Sequence, residues 1–435
     1  MKDGQISMEY GLIGEKLNHS YSKEIHEAFG DYRYDLMELS RAELGAFLKA
    51  RSFRAVNVTI PYKEAVFPEL DHLSERASAV GAVNTIVNRG GRLFGYNTDF
   101  TGMTALIRKA GISLFGKKTV ILGTGGTSKT AGAVCRSMGA RELVFVSRKR
   151  SPGAITYEEI PEYAQDADVL VNATPVGMWP DEENEPVRLA AFPALSGVID
   201  VIYHPLRTGL LLEAGSFGIP NAGGLYMLAA QAAEAFLLFT GRRAEECKSL
   251  EMDGELLELT EKAYRKVLSE KQNLVLIGMP SAGKSLAGQL VSRMTGRPFI
   301  NTDDLVEERL GEPIPGFIRR EGEAAFRAFE REAVQSLSKK EGCIIATGGG
   351  AVLDQENVKA LKREGKLIFL YRDLQALQPM EDRPLSDTPG KLAEMFERRR
   401  PVYESAADET VRGCEDPEET ARAVMRAFYG NEEIG

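Results

Sequence analysis

Apolar residues fall in short runs along the first half of the chain: ILG (121–123), ELVFVS (142–147), DVLVNAT (168–174) and GVIDVIY (197–203), separated by segments of helical spacing. Strands alternating with helices in this way predict a parallel sheet with crossover helices. Ahead of these runs, MEYGLIG and RAVNVTI read as two further strands, with SKEIHEAFG and RAELGAFLKA as helices. A separate leading α/β unit is therefore expected, with its boundary near residue 102. Over residues 252–272, Leu256, Leu259, Ala263 and Val267 recur at helical spacing among charges, and the strand NLVLIG follows at once. Two readings of that helix stay open: a rigid spacer between two halves, or a terminal helix burying its stripe on its own domain. No internal repeat or low-complexity tract interrupts the pattern.

Composition narrows the class without naming a chemistry. The 435 residues exceed one ordinary core, so two to four domains are expected. Apolar residues at 43% and charged residues at 27% describe a soluble globular protein, and a net charge of −9 argues against a nucleic-acid partner. Cys135, Cys247, Cys343 and Cys414 stand far apart without CxxC or Cys/His spacing, which points to neither a disulfide framework nor a metal site, and to a cytoplasmic location. No run approaches the roughly 18 apolar residues of a membrane helix, so no membrane partner is expected.

Chemistry first becomes legible at GMPSAGKS, Gly278 to Ser285, which fits GxxxxGK[ST] between a strand and a helix. Backbone N–H groups from Gly278, Ser281, Ala282, Gly283 and Leu286 would wrap the phosphates of ATP. Lys284 would reach the outer phosphates, and Ser285 would ligate Mg²⁺. Three later features could define the phosphate acceptor. PFINTDD offers Asp303 to a hydroxyl, GEAAFRAFE sets Arg327 and Glu330 on one helix face, and TGGGAV ends a strand in glycines that admit a small ligand. Taken singly, each also reads as a surface acid, an ion pair or a tight turn.

Together with EDRPL (381–385) and RRRPVYESAAD (398–408), these stretches resemble the shikimate kinase family over nearly all of residues 272–430. The resemblance implies a P-loop kinase fold on a parallel sheet. It implies that Asp303 orients the attacked hydroxyl, that Arg327 and Arg399 hold the substrate carboxylate, that Gly349 and Gly350 line the site, and that Arg383 reaches ATP from a lid. Phosphoryl transfer is mainly positioning and charge neutralisation, and guanidinium forks suit a small carboxylate. The chain departs from the family's DxD at NTD, where Asn301 replaces an acid that assists Mg²⁺, and its lid is short and poor in arginine.

In the first half GTGGTS, Gly123 to Ser128, follows the strand TVILG and precedes a helical stretch, a dinucleotide-binding context. Gly123, Gly125, Gly126 and Thr127 would cradle the cofactor. The acid that usually selects NAD is missing: Ser147 is followed by Arg148 and Lys149, which can pair with a 2′-phosphate and so favour NADP over NAD, or form a basic surface turn. LNHSYSKEIH, NVTIPYK, GAVNT and GYNTDFTG crowd polar groups into short turns, suggesting a polyhydroxylated ligand.

With NATPVGM, DVIYHP and GGLYMLAAQA, these stretches resemble the shikimate dehydrogenase family from about Tyr10 to Gly241. The resemblance implies a substrate-binding domain (1–102, completed by helices about 223–250), a Rossmann-type NADP domain (103–222), a connecting helix (251–271) and the kinase domain (272–435). It implies that Ser20 and Ser22 bind the carboxylate, that Thr59, Asn84, Asp99, Tyr203 and Gln231 contact ring hydroxyls or hold neighbouring groups, that Gly224 approaches NADP, and that Lys63 and Asp99 form the catalytic pair. A developing alkoxide needs such a proton donor, although a buried Lys/Asp bridge can also be purely structural. His26 and Trp179 read as packing or surface residues. His204 stands where the family commonly has Asn, and SRK replaces NRT at 147–149.

The expected function is two consecutive steps: reduction of 3-dehydroshikimate to shikimate with NADPH, then phosphorylation of shikimate with MgATP. Open alternatives are a quinate-preferring dehydrogenase, another small-metabolite kinase, and a kinase half that senses ligand without catalysis. Oligomeric state, including a homo-oligomer, is left open.

Overall fold

Leu274 and Leu276 face one way along the strand Asn273–Ile277, and Val275 and Ile277 the other. They feed two separate cores of fully buried side chains. A strand buried on both faces reads as a continuous apolar run, the pattern of a parallel sheet between helical layers. The computed structural model describes residues 8–17, 20–30, 32–377 and 388–430. The chain divides into two compact units, Met1–Val267 and Leu268–Gly435.

The first unit holds two six-stranded sheets. In the leading sheet the order is Tyr34–Glu38, Tyr10–Gly14, Ala55–Val58, Thr85–Arg89, Arg92–Tyr96, His72–Leu73. Its first three strands are parallel, but Thr85–Arg89 runs antiparallel to both neighbours, so this sheet is mixed. The cause is local: Gly90 and Gly91 take φ of 60° and 83°, closing the two-residue turn of a hairpin. Thr85 pairs with Tyr96 in its register, which leaves Asn84 beside the turn Asn97–Asp99.

The second sheet is parallel throughout, ordered Asn221–Ala222, Gly197–Asp200, Val169–Asn172, Lys118–Leu122, Glu142–Ser147, Ala154–Thr156. Its earliest strand lies in the middle, and the chain builds outward on both sides of it. That creates a switch point at the carboxyl end of Lys118–Leu122, where ligands bind in open α/β sheets. Helix Asp99–Lys109 packs along Leu225–Phe239, which is buried on nearly every side. Residue 102, near which the boundary of the leading unit is expected, falls inside the continuous helix Asp99–Lys109. Helix Gly254–Lys271 turns Leu256, Ala263 and Val267 inward, and its Glu261 accepts from Lys109 Nζ and Tyr226 Oη at 2.8 Å each.

The second unit carries a five-stranded parallel sheet, ordered Phe299–Asn301, Ile344–Ala346, Asn273–Ile277, Gly365–Tyr371, Glu409–Arg412. Helices Lys284–Thr295 and Pro417–Tyr429 cover one face. Helix Pro389–Ala406 and Gln355–Glu364 lie on the other. Among the described residues no helix is long and apolar enough to cross a membrane, and the four cysteines are free thiols.

Candidate active sites

In the first unit the hairpin and the helix it launches converge on one carboxylate. Asp99 opens helix Asp99–Lys109, and its Oδ2 lies 2.6 Å from Lys63 Nζ. Both side chains are mostly buried, at 8% and 14% exposure. Asn84 Nδ2 donates to Asp99 Oδ1 at 2.9 Å and to Thr98 Oγ1 at 2.9 Å, and approaches Gln231 Oε1 at 3.4 Å. Four separate segments, at residues 63, 84, 98–99 and 231, thus meet at one ammonium–carboxylate pair. Thr59 directly follows the strand Ala55–Val58, where its N–H donates to Ile13 O, and its carbonyl accepts from Tyr62 N one residue before Lys63.

A second group gathers nearby polar residues. The Ser22 amide donates to Ser20 Oγ at 3.3 Å, and the Tyr21 ring sits 5.3 Å from that of Tyr203. Burial pushes the Tyr203 phenol up, while a hydrogen bond with Ser20 acts in the other direction. Tyr21 Oη also pairs with His204 Nδ1 at 3.2 Å, giving the departure at 204 a partner.

The glycine turn stands at the switch point. Gly123 holds φ of 107° while its amide donates to Val146 O, a backbone conformation that a side chain would strain. Gly125 caps helix Gly126–Ser137, which contains Thr127, and a methyl built on Gly126 would touch Lys63 Cβ at 3.4 Å. The loop that would hold a dinucleotide therefore abuts the Lys63–Asp99 pair. Ser147 ends the next strand, with its Oγ 3.4 Å from the Lys149 amide, and Arg148 and Lys149 are exposed. Gly224 comes so close to Val201 O that a Cβ would lie 2.0 Å away, which brings the Leu225–Phe239 helix and its Gln231 against the sheet.

In the second unit Gly278 takes φ of 145° beneath Leu370 O, and Gly283, at φ of 91°, starts helix Lys284–Thr295. Lys284 Nζ bonds Gly278 O and Met279 O at 2.9 Å each. Ser281 lies in the left-handed region, Ala282 is buried, and Ser285 and Leu286 are exposed on the first turn, where backbone N–H groups have no intrahelical acceptor.

Facing the loop, Arg327, Arg399, Asp303 and Glu330 close on the turn Gly348–Gly350. A Cβ on Gly348 would meet Asp303 Oδ1 at 2.6 Å and Glu330 Oε1 at 3.0 Å, and one on Gly350 would meet Arg327 Nη1 at 2.2 Å. Arg327 Nη1 is 2.7 Å from Glu330 Oε2, and its Nη2 is 2.7 Å from Glu323 Oε1. Burial pulls the Arg327 guanidinium down, and these two carboxylates more than reverse it. Burial pushes Glu330 up against the pull of Arg327. Arg399, 2% exposed, donates to Gly349 O at 2.9 Å, and its Nε has no hydrogen-bond partner among the described residues. Burial, aided by Arg327, holds Arg399 below its usual range.

These two arrangements have counterparts. The family model for the shikimate dehydrogenase substrate-binding domain matches residues 12–86, and that for shikimate kinase matches residues 280–428. A shikimate dehydrogenase (NADP(+)) of Clostridium beijerinckii is 36% identical over 243 residues, which is 52% of this chain and 89% of that protein. One of Pyrococcus abyssi is 37% identical over 53% and 92%. A crystal structure of shikimate dehydrogenase 1 from Peptoclostridium difficile superposes with a TM-score of 0.53 at 34% identity, covering 60% of this chain and 98% of that one. A chorismate mutase/shikimate 5-dehydrogenase fusion from Clostridium acetobutylicum does so at 0.52 and 31%, covering 59% and 97%. The chain belongs to the shikimate dehydrogenase family and carries a shikimate kinase domain behind it. It is a bifunctional shikimate-pathway enzyme, both an oxidoreductase and a phosphotransferase.

Within this dehydrogenase–kinase several neighbours of these residues were not legible in the sequence. Glu330 was visible as an i,i+3 partner of Arg327, but only the fold brings it against Gly348. Tyr403, whose hydroxyl donates to Gly349 O, carried no signal beyond the RRRPVYES stretch. Asn301 is the N-cap of helix Thr302–Leu310: its Oδ1 accepts from Asp303 N at 3.2 Å, and its Nδ2 reaches Asp304 Oδ1. His26 is fully buried, stacked 4.1 Å from Tyr34, and burial lowers it to about 3, so it is a neutral packing residue. Arg383 lies outside the described residues.

Proposed function

We propose that the dehydrogenase half reduces 3-dehydroshikimate to shikimate with NADPH and that the kinase half transfers the γ-phosphoryl group of MgATP to the shikimate 3-hydroxyl. The reading of the first step rests on the Lys63–Asp99 pair, 2.6 Å apart beside the glycine turn. Bound NADPH supplies the hydride that reaches the ketone carbon. Lys63 gives its proton to the oxygen that would otherwise carry negative charge, and Asp99 holds the ammonium in place before transfer. Asn84 and Gln231 orient Asp99 and the ring hydroxyls, while Ser20, Ser22, Thr59 and Tyr203 take the carboxylate and the remaining polar edge. Gly123, Gly125, Gly126 and Thr127 fit a pyrophosphate, because the turn is open to backbone approach at a helix start. The exposed Arg148 and Lys149 after Ser147 suit a 2′-phosphate. A Thermus thermophilus shikimate 5-dehydrogenase, 33% identical with a TM-score of 0.50 over 59% of this chain and 99% of that one, was crystallised with NADP(H) and shikimate.

In the kinase half the buried Arg399, with Nε unpartnered beside Arg327, supports the reading of a carboxylate site. Arg327 is already held by Glu323 and Glu330, so the guanidinium charge left for an anionic substrate is that of Arg399. Asp303 takes the hydroxyl proton, and Lys284 with the loop amides holds the phosphates. Bound MgATP supplies the phosphoryl group; Ser285 is the protein ligand that fits Mg²⁺, since the Asn301 oxygen is engaged as a helix cap.

Mass spectrometry of the products, after the full chain receives 3-dehydroshikimate, NADPH and MgATP together, tests both steps. Shikimate 3-phosphate is the expected product. Accumulating shikimate would overturn the kinase reading, and unreacted 3-dehydroshikimate the dehydrogenase reading.

A further inference from the structure

Asn97 is fully buried, and its bonds go to three other segments as well as to its own turn. Its Nδ2 donates to Ala82 O at 2.9 Å and to Thr130 Oγ1 at 3.3 Å, its Oδ1 accepts from Phe100 N at 3.1 Å, and its backbone N–H donates to Glu246 Oε1. Each destination leads to the reacting groups. Phe100 directly follows Asp99 on the same helix. Val83, next to Ala82, donates its amide to Lys63 O at 2.8 Å. Thr130 Oγ1 bonds Gly126 O at 3.2 Å on the helix that opens the glycine turn, and Gly126 lies against Lys63. A closed ring of contacts thus runs from Asp99 through Lys63, Gly126 and Thr130 to Asn97 and back.

Glu246 supplies the outer anchor. It lies beyond helix Leu225–Phe239, on a segment fixed by two further bonds: Cys247 N to Glu234 Oε1 at 2.6 Å, and Arg76 Nη2 to Cys247 O. Arg76 also donates to Thr101 Oγ1 at 3.0 Å, on the Asp99 helix. Among the described residues, neither the Asn97 side chain nor that of Glu246 hydrogen-bonds to Lys63 or Asp99. A buried group that loses its partner carries its full desolvation cost, so this hub fixes the relative placement of three segments instead of letting each relax alone.

We infer that Asn97 and Glu246 are positioning residues, setting the register of Asp99 and Lys63 against the cofactor helix so that proton and hydride arrive at one carbonyl together. The inference rests on the reading of Lys63 and Asp99 as the catalytic pair. It extends the dehydrogenase machinery to a segment, residues 244–247, outside the binding site.

The test uses the full chain with 3-dehydroshikimate and with NADPH, either unlabelled or deuterated at the transferred position. Asn97→Ala and Glu246→Ala should each lower kcat about tenfold or more, since small misplacements of reacting groups cost such factors. KM should stay within about twofold and the primary isotope effect should rise, because the chemical step becomes slower while binding is untouched. Glu246→Gln keeps an acceptor for the Asn97 N–H and should restore kcat. If Asn97→Ala does not fold, Thr130→Val, which removes only the hydroxyl on the cofactor helix, takes its place with the same expectation. Wild-type kcat and isotope effect per folded molecule, with only a lower melting temperature, would overturn the inference and leave plain structural support. Lys63→Ala run alongside separates the two readings. If it turns over like wild type, the catalytic pair falls and the inference with it; if it is inactive while the hub variants keep wild-type kcat, only the inference falls.

Discussion

The Lys63 side chain sits at 14% exposure with its ammonium on Asp99 and its Cβ against Gly126. One residue therefore faces the acid that holds it and the turn that would carry the hydride donor. Lys63→Ala should lower turnover by about a hundredfold or more, the usual scale of a lost general acid, while NADPH affinity stays within about twofold. Steady-state kinetics with a fluorescence titration of NADPH checks this, and undiminished turnover would remove Lys63 from the mechanism. Arg327 teaches the converse at the same scale. Its spacing from Glu330 reads as an ordinary helical ion pair, and that ion pair is present, yet the fold places it on the glycine turn opposite the phosphate loop. A sequence shows the pair; the meaning comes from the third party, Gly350.

Helix starts carry much of the chemistry. Asp99, Gly126, Lys284 and Thr302 all stand in the first turn of a helix, where unbonded N–H groups gather and the dipole favours negative charge. At the last of these, Asn301 caps through the side-chain oxygen that an aspartate would also offer. Asn301→Ala should cost about 1 kcal/mol of stability through loss of the cap. Asn301→Asp should keep the cap, add charge beside Asp304, and lower the Mg²⁺ concentration for half-maximal kinase activity several-fold at an unchanged KM for shikimate. A Mg²⁺ titration of initial rates distinguishes these outcomes; an unchanged Mg²⁺ requirement in Asn301→Asp would count against a metal role for this position. The hairpin Thr85–Arg89 to Arg92–Tyr96 is the element that sequence reasoning passed over, although the Gly90-Gly91 pair between apolar alternations announces it. Its register brings Asn84 and Asp99 together, so the missed element builds the site.

At the scale of the molecule, each unit has its own sheet or sheets and buried cores, and each also buries charge. Glu234 is fully buried in the largely apolar helix Leu225–Phe239, and burial pushes it up to about 7 from an ordinary 4.5, against the Cys247 amide and Arg76. The folded state thus holds this proton more tightly than the unfolded chain. The stability it contributes is present at low pH and is lost as pH rises from about 4.5 through about 7. Glu234→Gln mimics the neutral form, so its stability relative to wild type should improve between pH 5 and pH 8, by on the order of 2–3 kcal/mol. Denaturant melts of both proteins at the two pH values measure the difference, and a pH-independent offset would contradict it.

The sequence alone determined the chemistry that local order encodes. GMPSAGKS and GTGGTS need only a strand, a turn and a helix start, and the apolar runs of Lys118–Leu122 and Asn273–Ile277 need only burial on both faces. Such features depend on neighbours a few residues away. Contacts across long sequence separation were decided by tertiary structure: Asn84 on Gln231, Asn97 on Glu246, Arg399 and Tyr403 on Gly349. These pairs stand 50 or more residues apart, at up to 149 between Asn97 and Glu246. No spacing rule links them, because sheet order and register, rather than helical or strand period, set which side chains meet.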